Sequence, residues 1–182
     1  IKNSVKGFHP NTINMKIAII YSTSSRTTKK ACKILSSKIN ASVQLIPIEK
    51  AKTACLLKYN YIILAGSAYN GKVQSALKRY ISRNMKTLKE KPIALVLNCE
   101  EGIDTKERLN RTFTEELVNT SQINSNFGYE LNPDEGNFIE KRKINNIIDD
   151  YKKNGKELPM LNMDEIARNT FIEYWIDRDY SL

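Results

Sequence analysis

IAIIYSTSSRTTKKAC, residues 17–32, holds three kinds of segment in sixteen positions. A β-branched apolar run ends in Tyr21. Six of the next seven residues, Ser22 to Thr28, carry a hydroxyl. A lysine-rich segment follows. The run 16–21, short and apolar throughout, predicts a strand buried on both faces. From Arg26 to Ile39 the apolar residues Ala31, Ile34, Leu35 and Ile39 fall at helical spacing, and Lys29, Lys30, Lys33 and Lys38 lie outside that stripe. The hydroxyl cluster therefore occupies a turn from a buried strand into a helix. Backbone N–H groups at such a point lack partners, and the helix dipole favours an anion there. An N-cap needs one hydroxyl. Six hydroxyls with the permanent charge of Arg26 predict a held anion, phosphate above all.

The strand-then-helix pattern repeats. Residues 43–48, 61–66, 92–98 and 126–131 predict further strands, and helices are expected near 49–58, 71–88, 105–121, 138–152 and 163–177. The stripes are Val73, Ala76, Leu77, Tyr80, Ile81, Met85 and Leu88 in 71–88, and Leu109, Phe113, Leu117 and Val118 in 105–121. In 163–177 they are Met163, Ile166, Ala167, Thr170, Phe171, Tyr174 and Trp175. Near-continuous apolar strands joined by helices predict an α/β fold, a doubly wound parallel sheet covered on both faces. The polar stretch 132–162 is expected to be an insertion whose helix, 138–152, carries Lys141-Arg142-Lys143 and a stripe of Ile144, Ile147, Ile148 and Tyr151.

Ligands of such a sheet bind outside the carboxyl ends of the strands. Two turns besides Ser22–Thr28 lie there. In Ser67-Ala68-Tyr69-Asn70-Gly71, small residues admit a flat ligand and Tyr69 offers a stacking face. In Asn98-Cys99-Glu100-Glu101-Gly102, the backbone and Asn98 can meet the polar edge of a ring. GxxxxGK[ST] and GxGxxG are both absent, as are acidic residues after the first strand to hold magnesium.

Together these turns resemble the flavodoxin family. The family's phosphate loop has the form [ST]-x-T-G-x-T, and Thr23-Ser24-Ser25-Arg26-Thr27-Thr28 takes its place. The resemblance implies a three-layer, five-stranded parallel sheet in the order 2-1-3-4-5. It also implies FMN as cofactor. Ser22, Thr23, Ser24, Ser25, Arg26, Thr27 and Thr28 would then surround its phosphate. Ser67, Ala68, Tyr69, Asn70 and Gly71 would flank its ring on one side, and Asn98, Cys99, Glu100 and Gly102 on the other. Within the family, YNYIILAGSAYNGKVQSALKRYI, residues 59–81, is most similar to the flavodoxin-type domain of menaquinone-dependent protoporphyrinogen oxidases. Two functions stay open: an FMN protein carrying electrons or hydride, and a flavodoxin-fold binding module that has lost its flavin. Arg26 divides them. The family places glycine there, and a backbone needing positive φ would be strained by arginine.

The composition is consistent with this. The 182 residues suit one domain, spanning 15–182. Residues 1–14 are expected to be a tag remnant, a processed leader or an unpacked extension. They hold the only histidine, His9, which leaves the domain without histidine acid–base chemistry. Cys32, Cys55 and Cys99 form no CxxC, which favours a reducing cytoplasm and disfavours zinc. The net charge of +9 is uneven: residues 15–99 hold sixteen Lys or Arg against two acids. The expected partners are a quinone or an anionic membrane surface, the second implying peripheral attachment. Nucleic acid is not expected, because the lysines are split between helices on opposite faces of the sheet.

Overall fold

The computed structural model describes residues 15–22, 26–51, 56–69, 72–73, 75–99, 104–134 and 137–170. Five strands form one parallel sheet: β1 (Lys16–Tyr21), β2 (Ser42–Pro47), β3 (Tyr61–Tyr69), β4 (Ile93–Asn98) and β5 (Ile123–Asn126). Their spatial order is 2-1-3-4-5, and every neighbouring pair is parallel. Parallel neighbours require a crossover, and the helices that make it cover both faces of the sheet. The crossovers run through α1 (Arg26–Lys38), α2 (Ser75–Lys89), α3 (Thr105–Phe113) and α4 (Glu115–Thr120), and α5 (Phe138–Lys153) and α6 (Met163–Arg168) follow β5.

The period of two along each strand divides the core. Ala18, Ile20, Ile62, Leu64, Leu95 and Leu97 point to the side of α2, α3 and α4, where Leu77, Ile81 and Phe113 meet them. Ile17, Ile19, Tyr61, Ile63, Ala94 and Val96 point to the side of α1 and α6, against Ala31, Leu35 and Ile166. Gly66, in β3, is small for a packing reason. A Cβ there would lie 2.6 Å from the Leu77 side chain and 3.3 Å from that of Thr112.

Several expected boundaries move. β3 runs on to Tyr69, and Lys72–Val73 returns antiparallel along it, Ala68 opposite Val73 and Tyr69 opposite Lys72. Val73 thus belongs to a ladder, and α2 begins only at Ser75. The ladder pairs the backbone of Val73, a β-branched residue that is a poor helix former. The expected helix over 105–121 is two helices. Thr114 stands between them at φ 75, ending α3 through its N–H to Asn110 O and capping α4 through Oγ1, which accepts from Leu117 N. The break leaves all four residues of the expected stripe buried. The fifth strand lies at Ile123–Asn126, earlier than 126–131. Its alternation is of one buried and one exposed residue, and its polar composition hides it. Of the helix expected over 49–58, the described residues form a turn at 48–50 and a short 3-10 segment at Leu56–Lys58, and residues 52–55 lie outside the described residues. In α6, Ile166 is buried, but Met163 is exposed rather than inward. Residues 171–177 of the expected last helix lie outside the described residues.

Burial also sets a pH limit. It pushes the Cys32 thiol up from 9.0 to about 12, the Tyr80 hydroxyl up to about 12, and the Tyr61 hydroxyl upward as well. These groups are neutral when protonated. Below pH 9 folded and unfolded chains both keep the Cys32 proton, and no stability is lost. Above it the unfolded thiol ionises first, so stability falls by up to about 1.4 kcal/mol per pH unit. The loss continues until the folded value near 12 is reached. Urea midpoints should therefore drop between about pH 9 and about pH 10.5, and Cys32→Ala should make that drop shallower.

Candidate functional site

The carboxyl ends of β1, β3 and β4 bring three polar residues to one edge of the sheet. Ser22 follows β1, its N–H donating to Ala65 O of β3 at 2.9 Å. Ser67 and Asn98 are register partners on β3 and β4. All three are buried. Buried polar groups are normally paired, yet Asn98 is only half satisfied. Its Nδ2 donates to Gly128 O at 3.1 Å, and its Oδ1 has no partner.

The first turn of α1 completes this edge. Thr27 and Thr28 are buried where α1 meets the sheet. Thr27 Oγ1 donates to Glu130 O at 3.1 Å, whereas Thr28 Oγ1 is buried with no partner. Arg26 is the first residue of α1 and is exposed. Among the described residues the only non-glycine with positive φ is Thr114. Arg26 therefore takes up helical backbone without the strain that would attend a glycine-only position.

Of the other residues expected at the site, Ala68 and Cys99 place their side chains in the core on the α2 and α3 side. What they can offer a ligand is backbone, and part of that is engaged. Arg108 Nη1 donates to Ala68 O at 3.3 Å, and Cys99 N–H donates to Asn126 Oδ1 at 3.2 Å. Tyr69 closes β3 with its backbone. Thr23, Ser24, Ser25, Asn70, Gly71, Glu100 and Gly102 lie outside the described residues. Among the described residues, no group of three His, Cys, Asp or Glu is placed to hold a metal ion.

The segment after β5 takes a part that its residues barely announce. Asn126 Oδ1 accepts from the N–H groups of both Cys99 and Gly128, so one side chain ties the β4 turn to the β5 turn. Gly128 has φ 75 and forms an isolated antiparallel bridge to Leu161. A Cβ on it would lie 2.5 Å from Met160 O and 3.0 Å from Asn162 N. From there the chain passes the start of α1, where Lys30 and Glu130 form an ion pair of 2.8 Å. It then makes the α5 excursion. The only sequence signal was the Asn-Phe-Gly at 126–128, turn chemistry set inside what read as a strand.

A five-stranded 2-1-3-4-5 sheet thus gathers polar residues at the carboxyl ends of its central strands. The flavodoxin-domain family matches residues 18–157. The chain belongs to the flavodoxin family. Solved flavodoxins resemble it in fold. Oxidised flavodoxin 2 of Bacillus cereus is 18% identical, with 76% of this chain and 99% of that one covered at a TM-score of 0.50. Two-electron reduced Megasphaera elsdenii flavodoxin is 14% identical, covering 69% of this chain and 93% of its own, at 0.48. Fusobacterium nucleatum flavodoxin bound to flavin mononucleotide is 14% identical over 76% of this chain and 98% of its own, at 0.43. No curated protein matches significantly. The finer likeness to protoporphyrinogen oxidases gains no support from these matches.

Gly128 fixes both the Asn98 amide and the root of the excursion. Gly128→Ala should therefore cost about 2–4 kcal/mol, from contact with fixed backbone and from the left-handed φ. Chemical denaturation would read that loss, and a change below about 0.5 kcal/mol would mean that the crossing of 127–128 over 160–162 is looser than described.

Proposed function

We propose that this flavodoxin-family chain binds FMN and carries electrons or hydride. The observation behind this reading is the pair of unpartnered buried atoms at the edge where the family binds its cofactor. These are Thr28 Oγ1 in the first turn of α1 and Asn98 Oδ1 at the end of β4. A hydroxyl left without a partner at a helix start suits a phosphate oxygen, and an amide oxygen beside the sheet edge suits a ring N–H. The residues present thus fit the group. When bound, the flavin supplies the redox chemistry. Ser22 to Thr28 would hold its phosphate, and Asn98, held by Gly128, would orient the ring. The alternative of a module without flavin rested on strain at Arg26, and the helical backbone of that residue weakens it.

The finer reading is a protoporphyrinogen oxidase-like role in the cytoplasm with a quinone as electron acceptor. It rests on the likeness of residues 59–81 and on the basic cluster Lys141-Arg142-Lys143 of the excursion. Phe138 and Ile139 are 79% and 64% exposed, one turn before Lys141, Arg142 and Lys143, which are all exposed. An apolar helix end beside a basic cluster suits an anionic membrane surface, at about 1 kcal/mol per Lys or Arg. Among the described residues no helix is long and apolar enough to cross a membrane, so such contact would be peripheral.

Two measurements test these readings. Titration with FMN should quench flavin fluorescence to a one-to-one endpoint. Thr28→Val should weaken binding by about tenfold, the worth of one hydrogen bond to a charged group, while leaving the apoprotein as stable as before or more so. A colourless protein with no fluorescence change on titration would leave the binding-module reading standing. Separately, the protein should sediment with vesicles containing phosphatidylglycerol and not with neutral phosphatidylcholine, and Phe138→Ser/Ile139→Ser should abolish this.

A further inference from the structure

Helix α1 has two unlike faces. Thr28, Ala31, Cys32 and Leu35 are buried against the sheet, while Lys29, Lys30 and Lys33 are exposed on the side away from it. These lysines form one wall of a groove of about 840 Å³ whose other wall is residues 130–133. Lys30 Nζ donates to both carboxylate oxygens of Glu130 at 2.8 Å, which clasps the two walls at one point. Glu130 is the only acid among the described lining residues. Among the described residues, Lys29 and Lys33 form no ion pair, so the groove keeps unbalanced positive charge. Leu131, half-buried, and Pro133 add apolar surface to the wall across from them.

The spacing of these groups selects an occupant. Lys29 and Lys33 are one helical turn apart, about 6 Å along the axis. Alternate residues of an extended chain point to the same side about 6.6 Å apart. Carboxylates at alternate positions of such a chain therefore match the two lysines. The residues between them turn to the opposite wall, where Leu131 and Pro133 lie. Glu130 on Lys30 is already a carboxylate seated on this helix. A continuous phosphate backbone fits worse, because Glu130 would repel it. No aromatic side chain among the described lining residues offers a base a stacking platform. The wider field has the same sign as the groove. Residues 15–99 hold sixteen Lys or Arg against two acids, which draws in an acidic partner from a distance.

We propose that the α1 groove docks an extended acidic segment of a partner protein, in which carboxylates alternate with apolar residues. The carboxylates pair with Lys29 and Lys33, and the apolar side chains pack on Leu131 and Pro133. This does not rest on the flavin reading, since the residues it uses are not among those expected to hold FMN.

The test is fluorescence anisotropy of the full chain with a labelled hexapeptide, Glu-Leu-Glu-Leu-Glu-Gly, at about 50 mM salt. The peptide should bind, and the rearranged Glu-Glu-Glu-Leu-Leu-Gly should bind more weakly. Lys29→Glu/Lys33→Glu should weaken binding at least about tenfold, and Lys29→Arg/Lys33→Arg should retain it. Lys78→Glu/Lys86→Glu makes the same charge change at exposed positions of α2, across the sheet, and should leave affinity within about twofold. Absence of peptide binding overturns the inference. So does an equal loss in the two glutamate pairs, or an equal affinity for both peptides, since general charge attraction would then suffice. Oligothymidylate that binds more tightly than the peptide, and loses that binding in Lys29→Glu/Lys33→Glu, also overturns it and makes the groove a nucleic-acid site.

Discussion

Strand β3 has a parallel neighbour on each side, and from Tyr61 to Ala68 no side chain is exposed. Its buried backbone is paired by β1 and β4 along most of its length and by Lys72–Val73 at its end. A parallel ladder of this kind cannot be closed by hairpins, so each connection has to cross a face of the sheet, and the longer ones do so as helices. The two core layers, the helices that shield them and the position of every loop follow from that requirement. So does the location of the site. Polar groups can be placed only where the ladder stops, and Ser22, Ser67 and Asn98 stand at that limit on three adjacent strands.

The parts of this fold that could be read from sequence were those with strong periodicity. The apolar runs at 16–21, 61–66 and 92–98 have no polar interruption, and the α1 and α2 stripes repeat over three or more turns. The parts that were missed depend on local backbone chemistry that periodicity does not record. Thr114 takes a positive φ, which nothing in a threonine announces, and it splits a helix without disturbing the apolar stripe. Ile123–Asn126 is a strand because β4 offers it a free edge; its own composition is that of a loop. Val73 fitted a helical stripe, yet its backbone pairs with Ala68.

The site was legible to a similar depth. The hydroxyl cluster marked the strand-to-helix turn, and Asn98 fell at a strand end. What could not be read was the way these groups are held. Asn98 depends on the Gly128 carbonyl, and Gly128 depends on Asn126, residues separated from Asn98 by a whole helix pair. Arg26 illustrates the converse. As a letter in a motif it looked like a defect, but as the first residue of a helix it is sterically ordinary.

The excursion between β5 and α6 leaves and returns through neighbouring backbone. Gly128 bridges Leu161, and Asn162 N–H donates to Phe127 O at 2.9 Å. Its helix α5 buries Ile148, which belongs to neither core cluster of the sheet. The ends of this segment are therefore tethered whether or not the segment itself is ordered, and its opening breaks no strand pairing. Local opening of α5 would then leave the strand ladder of the sheet intact. Evolution could lengthen, replace or excise it at that neck without rebuilding the protein beneath.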